Sequence, residues 1–460
     1  MKADAMSKAL TALFPPNRIT RDASDLANWG SDRTTAYQAA PSAVVFPETL
    51  DEVVALVRLA NAEGFALVPS GGRTGLSGGA VAERGEVVVS FDRMNRILGF
   101  DAAERLARCQ AGVVTGALQA FAEERGLFYP VDFASSGSSQ IGGNIATNAG
   151  GIRVIRYGLT RDWIAGLTVV TGAGDVLRCN NGLVKNATGY DFRHLFIGSE
   201  GTLGLVVEAE VRLANPPGPQ RVMVLGCPAF DALFQSLSAF QQHVTLSAFE
   251  FFSNLALAKV RAARDLPPPL RDACPFYALL EFDESALDAA SIAFERCLEQ
   301  GWVADGVLSQ SDAQAARLWA LREGISESLA PQTPYKNDLS VRLSDMPRFL
   351  EAADALISQA YPEFEVCWYG HIGDGNLHLN ILKPPGWSEQ AFLERCHRVS
   401  PELFRLVAEH GGSISAEHGV GLLKRDFLGY SRSPEEVALM RALKRVFDPN
   451  GVMNPGKLLP

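Results

Sequence analysis

Apolar residues recur along the chain in two alternating periods. In the first half, residues 42–46 and 66–68 read as short strands around a helix at 49–64, where Val53, Val54, Val57, Leu59 and Ala60 keep a helical spacing and Gly64 ends it. Strands are further predicted at 86–90 and 106–110, with a helix at 113–126. Residues 163–171 and 175–178 flank Gly172-Ala173-Gly174, a hairpin-type turn, and a strand at 206–213 closes the region. The cluster Asn215-Pro216-Pro217-Gly218-Pro219 then breaks the pattern. Beyond it, strands at 222–226, 247–251, 276–282 and 340–342 are separated by longer helices at 230–242, 285–301, 313–328 and 344–361. Such spacing predicts an α+β layer, helices covering one face of a largely antiparallel sheet. A last helix at 433–447 stops at Asp448-Pro449-Asn450-Gly451.

Length turns this pattern into domains. At 460 residues the prior is two or three. The breaker cluster divides the chain into 1–216, 217–420 and a C-terminal segment 421–460 that returns to the first domain. Net charge is -10, which argues against a phosphate-backbone partner such as nucleic acid. The seven cysteines are scattered and form no Cys-x-x-Cys pair, which suits reduced thiols and a cytoplasmic setting. The N-terminal stretch lacks the apolar core of a signal peptide. No run approaches the ~18 apolar residues of a membrane span.

Glycine adds the first chemistry. The segment Pro69-Ser70-Gly71-Gly72-Arg73-Thr74-Gly75-Leu76-Ser77-Gly78-Gly79 follows a strand and can gather backbone N–H groups into an anion nest, with a pyrophosphate as the natural guest. It contains neither a dinucleotide fingerprint nor a P-loop. Gly75-Leu76-Ser77-Gly78-Gly79 fits G-x-S-x-G, but Ser77 stands several residues past the strand, so a nucleophile elbow is a chance match. A second segment, 135–151, is small and polar throughout and includes Ser139, Gly142, Gly143, Asn144, Ala146, Thr147, Gly150 and Gly151, with Tyr157 beyond it. Small side chains let a flat ligand lie against the backbone. A third segment is Gly198-Ser199-Glu200-Gly201-Thr202-Leu203-Gly204. Three such loops between strands point to a cofactor cradle.

PSGGRTGLSGG, IGGNIATNAGG and FIGSEGTLG resemble the flavin-binding signature of the vanillyl-alcohol-oxidase type of FAD domain. Within that type the chain is similar, over essentially its whole length, to FAD-linked D-2-hydroxyacid dehydrogenases. The resemblance implies a two-domain α+β flavoprotein. The first loop would carry the FAD pyrophosphate, Ser139–Gly151 would carry adenosine and flavin contacts, Glu200 and Gly201 would lie near the flavin ring, and Asn454 would return with the tail to the isoalloxazine. No His or Cys stands at Arg73-Thr74, so non-covalent FAD is expected.

Three of the seven histidines fall in two tight motifs. Gly373-Asp374-Gly375-Asn376 is strong turn chemistry, and a hairpin there sets His371 beside His378, with Asn380 on the face of His378. The second motif is Ser415-Ala416-Glu417-His418-Gly419. Two imidazoles and a carboxylate, His371, His378 and Glu417, suit a divalent metal: Zn2+ first, with Mn2+ or Fe2+ as alternatives. The other reading is a hydrogen-bonded histidine hairpin and an exposed Glu-His pair. Both motifs match metal-binding ones of the resembled family. There, residues corresponding to Arg322, Ser326, Lys336, Asn380 and His418 hold the substrate. Two cations imply a dicarboxylate substrate, and the whole-chain resemblance implies D-2-hydroxyglutarate foremost, with D-malate beside it. The implied reaction is oxidation to the 2-oxoacid, with His418 as general base and hydride transfer to flavin N5. Electrons then pass to a second acceptor such as an electron-transfer flavoprotein or a quinone pathway. D-lactate or glycolate dehydrogenase and, from another class, a zinc hydrolase are the rival readings. The residues leave the oligomeric state open, a homodimer included.

Overall fold

The structure, a computed structural model, describes residues 2–34 and 36–460. It divides into two compact units. The first runs to Gly150, resumes over Gly158–Pro216 and takes in Glu417–Pro460, while the second comprises Gly151–Tyr157 and Pro217–Ala416. The units share the break at 216/217 with the expected division into 1–216, 217–420 and 421–460, and differ from it at two places. Gly151–Tyr157 leaves the glycine-rich segment for the second unit, and the first unit takes up the chain again at Glu417.

The first unit is built on two sheets. One orders the strands Ile19–Thr20, Ala43–Val45, Val87–Ser90 and Leu67–Ser70. The last three are parallel, so a crossover must join them. The helix Leu50–Glu63 provides one, capped by the Thr49 side chain and burying Val53, Leu56, Val57 and Ala60. The other sheet is antiparallel, in the order Ile97–Asp101, Leu106–Gln110, Gly204–Arg212, Ile164–Thr171 and Val176–Cys179. The C-terminal tail is tied into this unit through Asp448. Its carboxylate accepts from Val452 N and Met453 N, both at 2.9 Å, and pairs with Lys444. Beyond it, Asn454 N donates to Leu67 O at 2.8 Å.

The second unit is a seven-stranded antiparallel sheet ordered Asp305–Leu308, Gln220–Cys227, Phe276–Asp283, Leu246–Ser253, Val366–Gly370, Asn376–Ile381 and Tyr335–Ser340. One face is covered by the helices Asn254–Arg264 and Asp312–Glu323, which share a core with Val222, Val224, Phe252, Tyr277 and Leu279. Arg153 fastens Gly151–Tyr157 to this sheet through Glu281 at 2.9 Å, and Arg156 does so through Asp283 at 2.8 Å.

Several elements differ from the sequence expectation. The helix expected at 313–328 breaks at Gly324 into Asp312–Glu323 and Ile325–Leu329. A Cβ at Gly324 would lie 2.7 Å from Val260 Cγ2, so the close approach of the neighbouring helix decides that position. The strand expected at 340–342 is Tyr335–Ser340, whose polar residues hide its extended character. Ile141–Thr147 forms a helix despite two glycines, because backbone groups at its start bond to Val113 O and Ala111 O. Glu389–Glu409 is a long helix with Pro401 inside it, a residue that reads as a breaker.

Candidate active site

In the first unit the three glycine-rich loops and the tail meet. At Gly72 a Cβ would stand 2.2 Å from Ser138 O, so only glycine lets the first loop lie on the second. Gly201 has φ 69, and a Cβ there would reach 2.5 Å from Pro69 Cγ, which joins the third loop to the first. Glu200 N donates to Ala146 O at 2.8 Å, linking the third loop to the second. Asn454 Nδ2 donates to Gly79 O at 2.9 Å and to Glu200 O at 2.7 Å, bringing in the tail. Arg73 sits at φ 57 with its guanidinium over the Trp29 ring and 3.5 Å from Asp92, turned back on the loop. Ser77 O accepts from Leu422 N and Leu423 N, so Ser77 serves as a backbone anchor.

These residues fit a large ligand with polar edges. Gln140 Oε1, Asn454 Oδ1 and Lys457 Nζ are buried without a hydrogen bond among the described residues. Burial lowers the Lys457 ammonium pKa to about 8. Nothing stands within 4 Å of a Cβ built at Gly143, on the helix that carries Asn144, Ala146 and Thr147. Ser139 Oγ is 2.8 Å from Thr115 Oγ1, which in turn accepts from Asn144 Nδ2 at 2.7 Å, so this wall is pre-ordered. FAD would be held here by the first loop from Pro69 to Ser77, including Thr74, Gly75 and Leu76, by Ser139 to Gly150, and by Glu200, Gly201 and Asn454. Of the other expected contacts, Gly151 and Tyr157 fall in the second unit.

Glu200 has a further task. Its carboxylate is buried and accepts from Val420 N and Gly421 N, both at 2.7 Å. Burial raises its pKa, and the two N–H donors oppose the rise. These donors directly follow Glu417-His418-Gly419. Gly419 takes φ 80, giving the irregular backbone that the Glu-His pair requires. His418 Nε2 lies 3.5 Å from Glu417 Oε1, and both side chains are partly exposed.

In the second unit the histidine hairpin forms as the turn residues imply. Val366–Gly370 and Asn376–Ile381 pair antiparallel with Tyr369 opposite His378, and Ile372–Asp374 makes the turn. His371 and His378 meet with ring centroids 5.3 Å apart at 83°. A carboxylate faces Nδ1 of each ring: Glu250 at 2.8 Å from His371 and Asp338 at 3.7 Å from His378. Metal-ligating histidines commonly carry such a partner, and it makes Nε2 the nitrogen a metal would take. The donor set therefore fits a divalent cation.

The cationic pair stands in the same unit. Arg322 is 5% exposed, and its Cζ lies 5.0 Å from the Tyr369 ring centroid. Its Nη2 is 2.7 Å from Glu250 Oε2 in an ion pair, and neither Nε nor Nη2 has a hydrogen bond among the described residues. A buried guanidinium with unspent donors suits a carboxylate guest. Lys336 Nζ lies 3.4 Å from Ser326 Oγ, and Lys336 pairs with Asn380 across adjacent strands. Asn380 is buried, and its Oδ1 has no hydrogen bond among the described residues.

Glu250, Asp338 and Tyr369 escape the sequence reading. Burial raises the Tyr369 pKa, while Arg322, Asn380 and Ser326 around it pull the other way. A signal for Glu250 exists: it is the one charge in the run Leu246–Ser253, which is buried throughout. A carboxylate in such a strand must have a partner.

Comparison with known proteins places this arrangement. Residues 216–458 match the family described as FAD linked oxidases, C-terminal domain, and residues 41–180 match FAD binding domain. A Stutzerimonas stutzeri protein named D-2-hydroxyglutarate dehydrogenase is 57% identical over 100% of this chain and 99% of its own. One of that name from Xanthomonas citri is 55% identical over 98% and 96%, and the mitochondrial protein of that name from Bos taurus is 39% identical over 97% and 82%. Among solved structures, p-cresol methylhydroxylase superposes with a TM-score of 0.81 over 99% of this chain and 96% of its own, at 16% identity. Alkyldihydroxyacetonephosphate synthase gives 0.74 over 98% and 85%, at 18% identity. At those identities the likeness is one of fold. Among the described residues no helix is long and apolar enough to cross a membrane. With both family regions matched and near-complete relatives above 50% identity, the chain belongs to the FAD-linked oxidases and is an FAD-dependent dehydrogenase.

Proposed function

We propose that the chain oxidises D-2-hydroxyglutarate, and D-malate with it, to the 2-oxoacid. The names of the relatives at 55–57% identity support the substrate. The observation that carries the reading is the buried Arg322 guanidinium with unspent donors, in one unit with the His371–His378 pair, Lys336 and Asn380. Bound FAD supplies the two-electron acceptor, and a bound divalent cation supplies Lewis acidity at a hydroxyl.

The chain's own residues do the rest. Arg322 and Lys336 bind the two substrate carboxylates, with Ser326 positioning Lys336 and Asn380 holding a polar edge of the substrate. His418 takes the proton of the C2 hydroxyl as general base. His371, His378 and Glu417 hold the cation, zinc first and Mn2+ as an alternative. FAD is bound without a covalent link, which the absence of His and Cys at Arg73-Thr74 supports. An electron-transfer flavoprotein or a quinone pathway receives the electrons. All seven cysteines are buried and free, which supports a cytoplasmic setting.

The test is an anaerobic titration of the purified yellow protein with a panel of D-2-hydroxyacids. D-2-hydroxyglutarate should bleach the flavin well ahead of D-lactate and glycolate. A flavin bleached best by a monocarboxylate would transfer the assignment to the rival dehydrogenase.

A further inference from the structure

Glu250 lies at the middle of the strand Leu246–Ser253 and is 1% exposed. It shares a sheet face with Ala248 and Phe252, the face that receives the helix carrying Arg322. Its two oxygens are divided between two elements. Oε1 is 2.8 Å from His371 Nδ1 at the hairpin turn, and Oε2 is 2.7 Å from Arg322 Nη2 on the helix. We infer that Glu250 is a positioning residue that holds the metal ligand His371 and the carboxylate clamp Arg322 in one fixed relation.

The inference rests on the function proposed above, and it assigns a task to a residue that the reaction does not itself employ. A carboxylate suits this place because one oxygen accepts from His371 Nδ1 while the other sets negative charge against the Arg322 guanidinium. Accepting from His371 Nδ1 selects the tautomer whose Nε2 carries the lone pair. The other oxygen holds one nitrogen of the planar guanidinium, so the remaining edge of Arg322 has a set direction. An amide could serve only one partner, since its second end is a donor facing a donor. Asp would be one methylene too short to reach both. The neighbouring strand shows a parallel arrangement: Glu281 accepts from Arg153 Nε and Trp319 Nε1, both at 2.9 Å, and neither is a proposed ligand or clamp.

The experiment compares wild type, Glu250→Gln and Glu250→Asp as flavin-loaded proteins with matched flavin content and circular dichroism. Zn2+ alone is titrated by calorimetry into chelator-treated protein, and KM and kcat for D-2-hydroxyglutarate are measured separately. Each variant keeps at most one of the two contacts, so each should show at least one loss: Zn2+ binding roughly ten- to a hundredfold weaker, or KM raised about tenfold or more through loss of the ion pair with Arg322. Wild-type values for both quantities in either variant would overturn the bridge. A wild type that binds Zn2+ but leaves the hydroxyacid untouched would instead overturn the proposed function, and the calorimetric arm would still read the Glu250–His371 link.

Discussion

Replacing Lys336 with Met should separate a dicarboxylate enzyme from a monocarboxylate one. Met keeps the aliphatic stem and removes the charge, so packing beside Ser326 and across from Asn380 is largely retained. Lys336 is half-buried, which shields its charge from salt without hiding it from a ligand. A hydrogen bond to a charged group contributes about 1.5–3 kcal/mol. At about 1.4 kcal/mol per tenfold, losing it lowers kcat/KM for D-2-hydroxyglutarate by roughly 10- to 150-fold. D-2-hydroxybutyrate has the same C2 centre and lacks the second carboxylate, so its kcat/KM should change less than about threefold. Steady-state assays with an artificial electron acceptor supply both numbers. Equal losses on the two substrates would refute Lys336 as the distal clamp and remove the main argument for a dicarboxylate.

Other consequences follow from the same geometry. Gly72→Ala drives a Cβ against Ser138 O, and the protein should be purified with less than half the wild-type flavin by absorbance ratio; full flavin would show that this loop contact is dispensable. Asp448→Ala removes the acceptor for two backbone N–H groups and the partner of Lys444, which should cost about 3–5 kcal/mol and show as a lower thermal midpoint. Burial raises the thiols, with Cys109, Cys227, Cys367 and Cys396 each pushed up to about 12, so native protein at pH 8 should resist a thiol reagent that titrates all seven after unfolding. Prolonged chelation should abolish turnover while the visible flavin spectrum persists, and Zn2+ should restore it.

Features that rest on local chemistry were legible in the sequence. Glycine at 71, 72, 142, 143 and 201 and turn residues at 373–376 impose backbone shapes that short stretches reveal. The largely antiparallel sheet of the second unit also follows from apolar runs separated by long helices, though not the strand Asp305–Leu308. What stayed hidden depends on contacts distant in sequence. Glu250 and His371 are 121 residues apart, and nothing in either local pattern announces the pairing. Gly151–Tyr157 looks like the end of a cofactor loop, yet Arg153 and Arg156 fasten it to Glu281 and Asp283, and all of these residues belong to the second unit. The helix Ile141–Thr147 runs against its own propensity and exists because Val113 and Ala111 receive its first N–H groups.

The central claim is that this flavoprotein takes two electrons from a D-2-hydroxy dicarboxylate. One anaerobic titration of flavin absorbance tests it most directly. Bleaching should be complete near one equivalent of D-2-hydroxyglutarate per flavin when a 2-oxoacid trap is present, and the L-isomer should leave the spectrum unchanged. An oxidised spectrum that persists through excess D-2-hydroxyglutarate in zinc-loaded protein would contradict the account.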